Sequence, residues 1–156
     1  AANAEKLIAR MRREFGDIER AARKILARTK RRPRVYCEAW PNPRISSPPW
    51  VGELVRMAGG VMAVEPGARV TDEDVARAKP DVIILAWTAT GNRAKASSAL
   101  GNPAWKNVPA VKARRVYVIR DELLNTPGPP LMAGARELLR TIHAGNAPKA
   151  EKEKGC

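Results

Sequence analysis

At the start of the chain, apolar residues fall at Leu7, Ile8, Met11, Phe15, Ile18, Ala22, Ile25 and Leu26. Spacings of three and four draw one stripe down a helix. The rest of its surface carries Arg10, Arg12, Arg13, Arg20, Arg23, Lys24 and Arg28. The pattern stops at Lys30-Arg31-Arg32-Pro33, where proline cannot continue a helix and cations suit its carboxy-terminal dipole. At about 1.5 Å per residue this helix spans on the order of 40 Å, longer than most domain helices. Past Pro33 the pattern changes to short apolar runs separated by helical ones.

Arg34-Val35-Tyr36-Cys37-Glu38 predicts a strand leading into a proline-rich loop over 39–49. Residues 50–58 predict a helix with Val51, Leu54 and Val55 inward, closed by Gly59-Gly60. A short strand follows over 61–64. Thr71 caps the next helix, with Asp72-Glu73-Asp74 beside its positive end and Lys79-Pro80 as its stop. The run 81–87, apolar on both faces, reads as a central parallel strand, and a loop over 88–92 follows it. The spacing then predicts a weak helix over 92–100, irregular chain or one helical turn over 103–112, and a strand over 115–119. A last amphipathic helix over 131–143 runs through Leu131, Ala135, Leu138, Leu139 and Ile142, with Gly145 just past its end.

Strands alternating with helices predict an α/β fold: a three-layer, parallel-sheet (Rossmann-like) lobe preceded by a long connecting α-helix. Three segments follow: the basic helix over 1–32, the lobe over 33–145, and a Lys- and Glu-rich solvated tail over 146–156. In such sheets ligands sit beyond the carboxyl ends of the strands. Trp40, Trp50 and Trp87 fall at or near such ends, whereas Trp105, beside Pro103, reads as packing.

Composition changes this picture little. Apolar residues at 44% and charged ones at 29% describe an ordinary globular chain, large enough for one core. The net charge of +13 raises nucleic acid or an anionic membrane as partners. Yet residues 1–34 alone hold 12 basic against 4 acidic side chains, so most of the excess rides on one helix. No recognition-helix pair, ribonucleoprotein-type strand or Gly-rich basic loop accompanies it, and no nucleic acid is expected. Arginine-rich solvated helices also form ion-pair networks in heat-adapted proteins, a habit the paucity of Gln and Cys fits.

The inventory for chemistry is poor. Cys37 and Cys156 lack metal-ligand spacing, and whether they pair depends on the fold. His143, the single histidine, ends the last helix, where the dipole favours an imidazolium cap. Gly91-Asn92-Arg93 before a helix reads as an ordinary turn rather than an anion site. Glu38, Glu65 and Asp81 have no evident partners for acid–base work, and no G-x-S-x-G or H-E-x-x-H occurs. The chain is not expected to be an enzyme or to hold a resident cofactor or metal. No segment is apolar for long enough to span a bilayer, and no secretory signal stands at Ala1, so any export signal is expected upstream. A basic nucleic-acid-binding domain and an α/β enzyme domain of unknown chemistry remain the alternatives.

After the long basic helix come, in order, R-V-Y-C-E-A-W-P-N-P, W-V-G-E-L-V-R-M-A-G-G, K-P-D-V-I-I-L, V-P-A-V-K-A-R-R-V-Y-V-I and N-T-P-G-P. This series resembles the carboxy-terminal lobe of the periplasmic substrate-binding proteins of ABC transporters, the helical-backbone class that carries vitamin B12, ferric siderophores and haem, with the cobalamin-type members nearest. The resemblance runs over about 34–143, and the leading helix is similar to the one that joins the two lobes in that family. It implies an extracytoplasmic protein that traps a metal chelate between two lobes and passes it to an ABC-transporter permease. Trp40, Pro41, Asn42, Trp50, Trp87 and Asn125 are the cleft-facing positions it implies. The chain departs from the pattern twice: Pro130 stands where an arginine usually follows G-P, and Ser47, Pro48 and Pro49 occupy the stretch that usually supplies an acidic docking residue. Glu53 is the substitute for that residue. A single lobe encloses one side of such a ligand, so weak affinity is expected unless a missing amino-terminal lobe or a second copy closes the cleft.

Overall fold

The computed structural model describes residues 1–90 and 93–145. The tail over 146–156 with Cys156, and Gly91 and Asn92 of the turn, lie outside the described residues.

The chain opens with α1 (Ala2–Thr29), closed by Lys30 in a left-handed conformation whose N–H reaches the Leu26 carbonyl. Its apolar stripe is buried only in the second half, at Ile18 and Ala22; Leu7 and Ile8 are 37% and 50% exposed. The ion pairs within it, Arg10–Glu14, Arg20–Asp17 and Arg23–Glu19, join residues three or four apart. Pairs of this kind on a solvated helix contribute about 0.3–0.5 kcal/mol each.

Among the described residues five strands form one sheet: β1 (Arg34–Pro41), β2 (Arg44–Ser46), β3 (Val61–Met62), β4 (Val82–Leu85) and β5 (Val116–Val118). The order is β2-β1-β4-β5, with β3 also on β1. β1, β3, β4 and β5 run parallel, and β2 folds back antiparallel on the carboxy-terminal half of β1. β4 is buried at all four positions, as its two-sided apolar sequence requires.

Pleating sorts the strand residues into two layers. Val35, Cys37, Val82 and Ile84 meet α1, α2 (Pro49–Met57) and α6 (Pro130–Ile142) through Ile18, Val51, Val55, Leu138 and Ile142. Tyr36, Ile83 and Leu85 meet the other layer, where α3 (Asp72–Ala78), α4 (Ala96–Leu100) and α5 (Pro109–Lys112) supply Val75, Ala99 and Ala110. Trp105, in a 3-10 turn, is fully buried there. After α2, Gly59 at φ 91 and Gly60 turn the chain; a Cβ on Gly60 would come within 3.0 Å of Val35 and Val55 side-chain carbons.

Three readings need correction. The proline-rich stretch 39–49 is not simply a loop: β1 continues through Trp40 and Pro41, and a tight turn with a cis Asn42–Pro43 bond leads into β2. Proline lacks a ladder donor, but Pro41 is the last residue of its strand, where one missing N–H breaks little. The strand over 61–64 is shorter, ending at Met62. His143 is the C-cap residue of α6, as its place in the chain suggests, but not as the imidazolium that the dipole would favour: the residue is 2% exposed, with Nε2 2.7 Å from the Ala58 carbonyl. Burial holds its pKa below the ordinary 6.5, with Arg115 acting in the same sense and the Ala58 hydrogen bond opposing both.

Among the described residues Cys37 has no disulfide partner; its thiol is buried, and burial pushes its pKa up to about 12. Among the described residues no helix is long and apolar enough to cross a membrane.

Candidate functional site

The carboxyl ends of β1 and β4 lie side by side and carry two of the three candidate tryptophans. The ladder continues past the strands through Ala86 N–H to the Glu38 carbonyl at 3.0 Å and Thr88 N–H to the Ala39 carbonyl at 2.9 Å. The β1–β2 register shifts between Glu38 and Trp40, a bulge that breaks the strict alternation just before Trp40. Trp40 is left 41% exposed, its indole N–H donating to the Asn42 carbonyl at 3.0 Å. Pro41 beside it is half-buried and Asn42, in the turn, is exposed.

Trp87, two residues past the end of β4, is half-buried, its N–H donating to Glu38 Oε1 at 3.0 Å. Trp50 sits in the first turn of α2, 37% exposed, and donates to the Leu124 carbonyl at 2.7 Å, which ties α2 to the segment after β5. The next residue of that segment, Asn125, donates through Nδ2 to the Ala86 carbonyl at 2.7 Å, while its Oδ1 is buried without a hydrogen-bond partner. The loop after β4 is held from the same side, with Ala89 N–H on the Asp121 carboxylate at 2.8 Å. Hydrogen bonds thus tie Trp50 to the residue before Asn125, Asn125 to the residue before Trp87, and Trp40 to Asn42, whereas Glu53 takes no part. That residue is exposed on α2 and paired with Arg56 at 3.1 Å. It borders a groove of about 800 Å³ along β3 that Arg32, Arg34, Val61 and Met62 also line and that none of the tryptophans touches.

Sequence reasoning missed the residue at the centre of this end. Glu38 is fully buried, and its carboxylate accepts from the Tyr36 hydroxyl at 2.6 Å, Arg44 Nη1 at 3.0 Å and Trp87 Nε1. Arg44 in turn pairs with Asp72 and lies over the Trp105 ring at 4.4 Å. Burial acts to lower the Arg44 pKa, but Asp72 and Glu38 outweigh it and hold the guanidinium above its ordinary value. Burial, and next the Glu38 charge, raise the Tyr36 phenol far above its usual range, so it stays a donor. The one local signal was an acid at an inward position of an apolar strand, on the same face as Tyr36. Asp81 also has partners, Arg31 at 2.9 Å and the Arg34 N–H at 2.8 Å, at the opposite end of the sheet.

This end offers, among the described residues, ring surfaces and the unpartnered Asn125 Oδ1. Among the described residues no cluster of His, Cys, Asp and Glu is placed to hold a metal ion.

Comparison with known proteins places these features in a family. The periplasmic binding protein family model matches residues 1–123. The uncharacterized ABC transporter substrate-binding lipoprotein YvrC of Bacillus subtilis strain 168 is 29% identical over 146 residues, covering 90% of this chain and 44% of YvrC. The periplasmic heme-binding protein RhuT of Roseiflexus sp. RS-1 superposes with a TM-score of 0.74 at 21% identity, over 90% of this chain and 55% of RhuT. The periplasmic vitamin B12 binding protein BtuF of Vibrio cholerae does so with 0.66 at 19% identity, over 88% and 52%. This chain thus spans about half the length of the relatives it matches. The same lobe, with its long leading helix, recurs in both solved structures, and the family pattern takes in everything from α1 to beyond β5: the chain belongs to the periplasmic binding protein family.

Proposed function

We propose that this chain is one lobe of the extracytoplasmic binding component of an ABC importer and forms one wall of a cleft for a bulky metal chelate: haem, a ferric siderophore or cobalamin. Trp40, Pro41, Asn42, Trp50, Trp87 and Asn125 line that wall. One observation carries the reading: the N–H of each of the three indoles is already bonded within the protein, to Asn42, Leu124 and Glu38. What these rings have left for a ligand is their apolar surface, which suits the flat or hydrophobic flank of a large chelate. The Asn125 Oδ1 supplies a lone acceptor beside them.

Family membership and the ligands named for RhuT and BtuF support this choice of chelates. The metal arrives already chelated, and the protein binds without catalysis. The other wall comes from an amino-terminal lobe or a second copy, and the exposed Leu7 and Ile8 on α1 offer that lobe an apolar seat. Glu53 docks on the permease. Titration of tryptophan fluorescence with haemin, cyanocobalamin and a ferric hydroxamate tests the reading. Saturable quenching by at least one of them is expected; linear, non-saturable quenching by all three overturns it.

A further inference from the structure

We propose that Glu38 is a positioning residue for the ligand wall: its buried carboxylate fixes the plane of the Trp87 indole and so sets which ligand face the lobe accepts. This rests on the reading that Trp87 lines the cleft. A carboxylate inside an apolar strand is costly unless it is paired and fully hydrogen-bonded, and a leucine would fill the same space without that cost. The three groups that satisfy Glu38 are not equivalent. Tyr36 is fully buried and meets Trp105 edge-on, with ring centroids 6.0 Å apart. Arg44 is fixed independently by Asp72 and by the face of Trp105. Trp87 stands half-buried just past the end of β4, and its N–H has no acceptor among the described residues other than Glu38.

Order therefore runs outward from the core, through Tyr36 and Arg44 to Glu38 and from Glu38 to the indole. An indole has two side-chain torsions, and one directed hydrogen bond from its edge, added to packing, leaves a single orientation. Trp40 and Trp50 are held instead by backbone carbonyls, that of Asn42 in an exposed turn and that of the fully buried Leu124. Trp87 is a fixed wall against which Trp40, tied only to its turn, adjusts. Two planar chelates of different outline should then be told apart through Glu38, which touches neither.

The test combines indole nitrogen–proton spectra with affinities for haemin and cyanocobalamin. The Trp87 resonance is identified by its loss in Trp87→Phe. In the wild type it should lie downfield of the other indoles and exchange slowly, and it should move in Glu38→Leu. Glu38→Gln, which keeps an acceptor oxygen, should restore most of the shift. Affinity for the bound chelate should fall about tenfold in Glu38→Leu, recover in Glu38→Gln, and fall no further when Glu38→Leu is added to Trp87→Phe. An unmoved Trp87 resonance overturns the proposal, as does an equal loss of affinity with and without the Trp87 ring. Should Glu38→Leu fail to fold, Glu38→Gln still decides, because a changed acceptor must displace the resonance by a smaller amount, and none at all refutes the clamp. If neither of these chelates nor a ferric hydroxamate binds, it is the preceding reading that fails, while the resonance still reports whether Glu38 holds Trp87.

Discussion

The His143 ring sits between α6 and the end of α2, where Gly59 leaves it room: a Cβ there would come within 2.8 Å of Nε2. Nε2 faces a carbonyl that only accepts and so carries a proton, while burial favours the neutral form of the ring. Its folded pKa lies below 6.5, so on acidification the unfolded chain takes up the proton first. The stability that the neutral ring supplies is complete above about pH 6.5 and is lost as pH falls from there through the folded value. Urea midpoints measured at about pH 7.5 and about pH 5.5 should therefore drop for the wild type. His143→Gln, whose amide can still donate to Ala58, should show a smaller drop; parallel losses in both proteins would show that the ring is not responsible. At this scale the candidate site was half legible. Trp40, Trp50 and Trp87 stand out from the sequence because large rings at or near strand ends are conspicuous, whereas Asn125 comes only from the family resemblance. Glu38 does not stand out, because Arg44 reaches it around a hairpin and Trp87 from beyond a neighbouring strand, 49 residues away.

At the scale of elements, local chemistry sets where helices begin and tertiary contact sets which of them survive. Thr71 and Asp74 form a reciprocal capping box at the start of α3, a seven-residue helix too short to hold itself. Thr71→Ala should cost about 1 kcal/mol, read as a lowered denaturation midpoint with unchanged m-value. At α6 the contact is steric. A Cβ on Gly134 would clash with the Leu123 carbonyl and come within 2.9 Å of Leu124 Cδ2, in the segment that also bonds Trp50. Gly134→Ala should destabilise by about 1–3 kcal/mol, and a neutral result in urea unfolding would show that the segment can give way. Periodicity exposed α1, α2 and α6, and two-sided apolarity exposed β4, because those signals are local. The β1–β2 hairpin was hidden: Pro41 and Pro43 read as loop, and neither the bulge after Glu38 nor the pairing of Arg44 with Pro41 leaves a trace in hydrophobic pattern.

For the molecule as a whole, the sheet sets up one end rich in rings and an opposite end closed by the Arg31–Asp81 pair. Of the net +13, α1 itself carries +4, and Lys30, Arg31, Arg32 and Arg34 just after it add four more cations. A lobe with exposed rings at one end and exposed Leu7 and Ile8 on its leading helix has the apolar surfaces of half a cleft, in keeping with a chain that spans about half of its relatives. Equilibrium dialysis against haemin, cyanocobalamin and a ferric hydroxamate, with the wild type and with Trp40, Trp50 and Trp87 all replaced by alanine, tests the central claim most directly. The account predicts weak, saturable binding of at least one chelate by the wild type, reduced about tenfold or more in the triple variant. No saturable binding of any of the three, or tight binding by a single copy that the substitutions leave untouched, would contradict it.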